Sequence, residues 1–138
     1  FCCVQLKSAE AVDRAALDKS VWQSHLAEAW SSSLFLFSGN TESGSELYAR
    51  MFAPGWGIDE DPATGSAAAA LVGALAQRSK VLTGTFDLSI TQGVRMGRSS
   101  EMQLSAQVQD GAVVSTSVGG PAAFVAEGEI EVSEAFLG

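Results

Sequence analysis

Gly57-Ile58-Asp59-Glu60-Asp61-Pro62-Ala63-Thr64-Gly65-Ser66 runs directly into Ala67-Ala68-Ala69-Ala70-Leu71-Val72-Gly73-Ala74-Leu75-Ala76. The most acidic turn of the chain thus abuts its least polar segment. From Gly65 to Ala76 no side chain is charged, and Gln77, Arg78 and Lys80 then mark a polar end. A helix that is apolar all round is a buried one, and Arg78 and Lys80 suit the carboxyl end of its dipole. Pro62 biases Asp61 away from helical geometry, and Thr64 stands where an N-cap belongs. The backbone N–H groups of Gly65, Ser66 and Ala67 then lack intrahelical partners, and such a helix start attracts anions. No Lys follows Gly65-Ser66, so the phosphate-loop pattern of nucleotide-binding proteins fails. The same residues also read as a solvated acidic turn followed by a capped helix. Three consecutive acids rarely converge on one metal ion without further ligands, and no metal site is expected.

The flanks read mostly as strands. Phe1–Lys7 alternates, and Leu34-Phe35-Leu36-Phe37 is a short apolar run suited to a strand buried on both faces. Glu46–Ala53 places Leu47, Ala49 and Met51 on one face and Tyr48, Arg50 and Phe52 on the other. After the helix, Thr85–Gln92 alternates with Phe86, Leu88 and Ile90 inward, and Glu101–Val108 alternates through Met102, Leu104, Ala106 and Val108. Asp110-Gly111 is a hairpin turn leading to Ala112–Val118, and Phe124–Val132 reads as a closing strand. Between Glu10 and Trp30, the four-residue spacing of Trp22, Leu26 and Trp30 predicts one helix lying on the sheet. His25, the single histidine, sits in that helix and reads as a surface or structural residue. Arg95 and Arg98, in the loop between two strands, are candidates for binding an acidic ligand. The assembled expectation is an α+β domain, an antiparallel sheet rolled around a central buried helix.

Composition narrows the partners. The 138 residues suit one domain, and 46% hydrophobic with 17% charged residues supplies a core. Sixteen acids against eight bases give a net charge of -8, which disfavours nucleic acid and anionic membranes as partners. The longest uncharged apolar run falls short of the roughly 20 residues a membrane-spanning helix needs. Cys2 and Cys3 are neighbours in an alternating stretch, point to opposite faces and make poor disulfide partners, which fits a cytoplasmic setting. The chain starts at Phe1, without methionine and already in a strand-like pattern, so a longer natural polypeptide is expected.

Tyr48-Ala49-Arg50-Met51-Phe52-Ala53-Pro54, Gly57-Ile58, Glu60-Asp61-Pro62-Ala63-Thr64-Gly65-Ser66-Ala67, Gln92-Gly93, Met96-Gly97-Arg98 and Val118-Gly119-Gly120 together resemble the carboxyl-terminal half of the PhzF phenazine-biosynthesis-like family. That resemblance implies one half of a diaminopimelate epimerase-like fold, with an active site between two similar halves. It implies a cofactor-independent isomerase that moves a proton on a small carboxylate-bearing metabolite. Asp61 is its implied catalytic and substrate-binding carboxylate, with Gly65, Ser66 and Arg98 as further substrate-binding residues. Cysteine chemistry of the kind the related epimerases use is not expected, because Asp61 stands where they carry a catalytic cysteine. The family's principal acid–base glutamate and a substrate-binding histidine belong to the amino-terminal half, so the expected partner is that missing half or a second copy, as a homodimer. A stand-alone module that binds a small anion or dimerises is the alternative.

Overall fold

The computed structural model of the chain describes residues 1–132. It is an α+β arrangement: β1 (Cys2–Gln5), α1 (Ala9–Arg14), α2 (Lys19–His25), β2 (Leu34–Gly39), β3 (Ser45–Ala53), β4 (Ile58–Asp61), α3 (Gly65–Arg78), β5 (Gly84–Gln92), β6 (Ser100–Gln109) and β7 (Ala112–Gly119). The strands form one sheet in the order β1-β2-β3-β5-β6-β7, with β4 paired to β3 beside that path. Among the described residues no helix is long and apolar enough to cross a membrane.

The sheet is mixed, and the antiparallel expectation is corrected in two places. β1 pairs with β2, and β3 with β5, in parallel. Each parallel pair is joined by a segment containing helix, α1 and α2 in the first case and α3 in the second. A parallel neighbour requires such a crossover because the chain must return to the same end of the sheet. The remaining pairs, β2/β3, β3/β4, β5/β6 and β6/β7, are antiparallel.

Strand alternation divides the sheet into two faces. Leu47, Ala49 and Met51 of β3 join Phe86, Leu88 and Ile90 of β5 and Met102, Leu104, Ala106 and Val108 of β6 in one apolar core. Ala67, Ala68, Leu71, Val72 and Ala76 of α3 complete it. The helix buries this one face, whereas Ser66, Ala70 and Ala74 are exposed. Alanine is tolerated in both settings, so an uncharged helix does not by itself imply burial on every side.

On the other sheet face α1 packs with Val12 fully buried. The single helix expected over Glu10–Trp30 is instead two. Ser8 accepts a hydrogen bond from the Ala11 amide at the start of α1, and Asp18 accepts from the Ser20 and Val21 amides at the start of α2. An N-cap in mid-segment begins a new helix rather than continuing the old one. Trp22 is buried and donates its indole N–H to Ser32 O at 2.8 Å, whereas Trp30 lies beyond the helix and is 94% exposed. The stripe from Trp22 to Trp30 therefore does not form. His25 is exposed, as a surface residue should be.

The strand expected over Phe124–Val132 is also absent. Those residues carry no regular structure, and Phe124, Val125 and Ile130 are exposed. Alternation makes a strand only where a ladder partner exists. Pro121, lacking an N–H, follows the end of β7, and nothing among the described residues pairs with what comes after.

Arg50 ties the end of α1 and strand β4 to β3. Its Nε and Nη2 donate to Glu60 Oε1 and Oε2, both at 2.8 Å, and its Nη1 donates to the carbonyls of Val12, Asp13 and Ala15. The guanidinium also lies 4.8 Å from the Phe52 ring centroid. Beside it Tyr48 donates its hydroxyl to Asp13 at 2.6 Å. Arg50→Met leaves Glu60 and the last carbonyls of α1 without their donor, and is expected to destabilise the chain by about 3–5 kcal/mol in urea unfolding. Replacing both Arg50 and Glu60 by methionine costs less than the single change. Tyr48, the one tyrosine, has its pKa pushed up from 10.0 to about 12, by burial first and by the Asp13 hydrogen bond second. Folding thus favours the neutral phenol. This contribution is complete below the unfolded-state value and is lost as pH rises toward 12, which ultraviolet titration of the phenolate in folded and urea-unfolded chain will check.

Candidate active site

The ends of β4 and β5 meet on the same edge of β3. β5 runs parallel to β3 and stops with Gln92 opposite Ala49, and β4 runs antiparallel and stops with Asp61 opposite Met51. The acidic stretch expected as a turn is therefore a short strand up to Asp61. Gly57, at φ 72° in the left-handed region, makes the reversal that brings Ile58–Asp61 back against β3. Pro62 then ends the pairing.

Strand alternation separates Glu60 from Asp61. Glu60 is held by Arg50 on the α1 face, and Asp59 is exposed with its Oδ1 2.7 Å from Lys19 Nζ. Asp61 turns to the opposite side, where Thr64 Oγ1 donates to its Oδ2 at 2.5 Å. The acids diverge, so they do not share an ion.

Gln92 builds the corner between strand and helix. Its side chain is fully buried, and Oε1 accepts from the Thr64 amide at 3.2 Å. Its Nε2 donates to Asp61 O at 2.7 Å and to Thr64 Oγ1 at 3.0 Å. Gly93, at φ 82°, lets the following loop lie on Pro62: a Cβ there would stand 2.4 Å from Arg98 O and 2.6 Å from Pro62 O. Thr64 occupies the N-cap position, but its side chain makes no capping bond; its oxygen accepts from Gln92 Nε2 and its hydroxyl donates to Asp61. Ala68 N donates to Thr64 O as the first bond of α3, so the amides of Gly65, Ser66 and Ala67 precede the intrahelical ladder.

A cleft of about 420 Å³ opens over this corner. Asp61, Thr64 and Ser66 line it at one side, and Phe1, Trp30, Met51, Trp56 and Ile58 form apolar walls. Ser31, in the same lining, has a buried Oγ without a hydrogen-bond partner. Of the sequence-derived candidates at the helix start, Asp61 and Ser66 line the cleft, and Gly65, between them in sequence, is not among its lining residues. Arg98 does not line the cleft: its side chain is exposed and its carbonyl abuts Gly93. Arg95 faces a different and larger cleft of about 700 Å³ that Arg50, Glu60, Asp59 and Lys19 also line. Most of the charge there is already paired.

Two features escaped the sequence reading. Trp56, 78% exposed at the cleft rim, stands between Gly55 and Gly57 in a segment with no periodicity to mark it. Gln92 did carry a signal, because it continues the inward alternation of Phe86, Leu88 and Ile90. A polar side chain at an inward register position needs internal partners.

The chain matches the family of phenazine biosynthesis-like proteins over residues 1–128. It belongs to that family. It is 37% identical over 135 residues to an uncharacterized isomerase of Mesorhizobium japonicum, a match covering 94% of this chain and 44% of the relative. It is 40% identical over 86 residues to the trans-2,3-dihydro-3-hydroxyanthranilate isomerase of Pseudomonas aeruginosa, covering 62% of this chain and 31% of that enzyme. The chain thus spans less than half the length of these relatives, which are named as isomerases. Gly93→Ala forces a side chain into a left-handed backbone and against two carbonyls, and is expected to cost at least about 2 kcal/mol in thermal unfolding. An unchanged melting temperature would mean that the loop does not hold the Asp61 corner.

Proposed function

We propose that the chain is the substrate-binding half of a cofactor-independent isomerase that transfers a proton on a small carboxylate-bearing metabolite. The observation that carries this reading is the Asp61 carboxylate, tied to Thr64 in an apolar-walled cleft beside the first amides of α3. A carboxylate fixed at a substrate can accept a proton at one carbon and return it at another. The amides of Gly65 and Ser66 hold the substrate carboxylate, since a helix start offers free N–H donors and a favourable dipole. The tryptophan and methionine walls suit a ring, and the relative named trans-2,3-dihydro-3-hydroxyanthranilate isomerase supports a cyclic acid of that class. Arg98 joins the site only by turning inward on substrate binding.

A second half-sized unit, from the same polypeptide or a second copy, covers the cleft and supplies the other acid–base group. The arrangement is then one half of a diaminopimelate epimerase-like fold, with 1–138 as one domain and α3 enclosed once both halves meet. A cytoplasmic setting accords with adjacent cysteines that lie in one strand and are both free. The exposed rim of Trp30, Trp56 and Ile58 also favours a second reading, a non-catalytic module that dimerises or holds a small anion through this surface.

The test is proton exchange in heavy water with trans-2,3-dihydro-3-hydroxyanthranilate as substrate and the intact polypeptide that contains this chain. Solvent deuterium is expected in the product, and Asp61→Asn lowers kcat by about 10²–10⁴-fold. Equal turnover by the Asp61→Asn protein sinks the catalytic role of Asp61. Absence of both isomerised product and exchange, with sedimentation showing dimers, favours the module.

A further inference from the structure

We infer that Gln92 is a positioning residue, whose buried amide dictates that the Thr64 hydroxyl donates to Asp61 and thereby presents one defined carboxylate oxygen to the substrate. Main-chain groups settle the orientation of the amide. The Thr64 N–H can only donate, so the Gln92 atom facing it is the oxygen. The Asp61 carbonyl can only accept, so the atom facing it at 2.7 Å is the nitrogen. That same nitrogen lies 3.0 Å from Thr64 Oγ1 and donates to it. The threonine hydroxyl has one hydrogen, and with its oxygen already accepting, that hydrogen goes to Asp61 Oδ2 at 2.5 Å. The relay therefore runs in one direction, Gln92 to Thr64 to Asp61. It occupies Oδ2 and leaves Oδ1 without a protein donor among the described residues.

Two further features favour a positioning task over simple packing. Gln92 is fully buried at a register position that its strand otherwise fills with Phe86, Leu88 and Ile90. An apolar residue there would fill the core but would leave the Thr64 amide and the Asp61 carbonyl without these partners. Thr64 meanwhile makes no capping bond: its oxygen accepts from Gln92 rather than from a helix amide, and its hydroxyl donates to Asp61. The value of the relay to catalysis rests on Asp61 moving the proton as proposed above; the orientation itself does not.

The two levels are tested separately. In the chain itself, NMR scalar couplings between Hα and Hβ report the Asp61 rotamer without any substrate. A single rotamer is expected for the unaltered chain and for Thr64→Ser, and averaged rotamers for Thr64→Val, which keeps the shape of the side chain and a dispersed amide spectrum. Gln92→Met is expected to average Asp61 as well. Should that variant fail to fold, Thr64→Val decides alone, and Asp61 still locked in one rotamer there overturns the relay. In the intact polypeptide, Thr64→Val lowers kcat about tenfold or more with little change in KM, and Thr64→Ser restores most of it. An unchanged kcat alongside averaged rotamers overturns the positioning role. If the unaltered polypeptide neither isomerises the substrate nor exchanges its protons, the isomerase reading fails while the coupling measurement still decides the relay.

Discussion

The corner between β4, β5 and α3 depends on one buried amide. Two strands end against each other on the edge of β3, and a helix starts beside them, so several main-chain groups lose their ladder partners in a water-poor place. An unpaired buried group costs roughly 1–3 kcal/mol, and such a corner has little stability of its own to offset that. Gln92 serves the Thr64 amide and the Asp61 carbonyl with a single planar group. Gly93 removes the side chain that would hold the neighbouring loop off Pro62. The site follows from that solution, because what is fixed in place is the carboxylate-bearing end of β4 and the open start of α3.

Strand periodicity then gives adjacent acids different tasks. Glu60 and Asp61 are one residue apart and point to opposite sides of the sheet. Glu60 completes the Arg50 clamp that holds the end of α1 on one face, and Asp61 faces the cleft on the other. A one-residue slip of β4 would exchange them, placing a free carboxylate against α1 and an arginine-bound one in the cleft. The bidentate pairing of Arg50 with Glu60 therefore fixes the register of β4 as well as the packing of α1.

Legibility in the sequence tracked how local each determinant is. β5 and β6 were readable because Phe86, Leu88 and Ile90, and Met102, Leu104, Ala106 and Val108, alternate against a single core. The two faces of β3 were readable for the same reason. Strand direction was not, since alternation is the same in parallel and antiparallel neighbours. The break between α1 and α2 was written in Ser8 and Asp18, but the spacing of Trp22, Leu26 and Trp30 imitated one continuous helix. The convergence of Asp61 and Ser66 on the cleft was legible because a proline turn and a helix start place them by chain connectivity alone. The Gln92 bridge was not, because it spans 28 residues to Thr64, and no local pattern names the partner of a buried glutamine. Nor does local pattern tell Arg98 from Arg95, whose different placements depend on how the loop after Gly93 folds over Pro62.

The same geometry resolves an electrostatic conflict. Three consecutive acids beside a helix start would repel the anion that the start is built to attract. Glu60 is neutralised by a buried guanidinium, and that pairing is the effective one. The exposed Lys19–Asp59 contact contributes little in water, but Asp59 is itself screened by solvent and lines the cleft of Lys19 and Arg50 rather than that of Asp61. The helix start therefore faces one carboxylate rather than three. A single negative charge is what the dipole and the free amides of Gly65, Ser66 and Ala67 can offset, so Asp61 sits close to them without closing the site to a second acid. The Arg50 clamp, on the opposite face of the sheet, is thus what makes the Asp61 face usable.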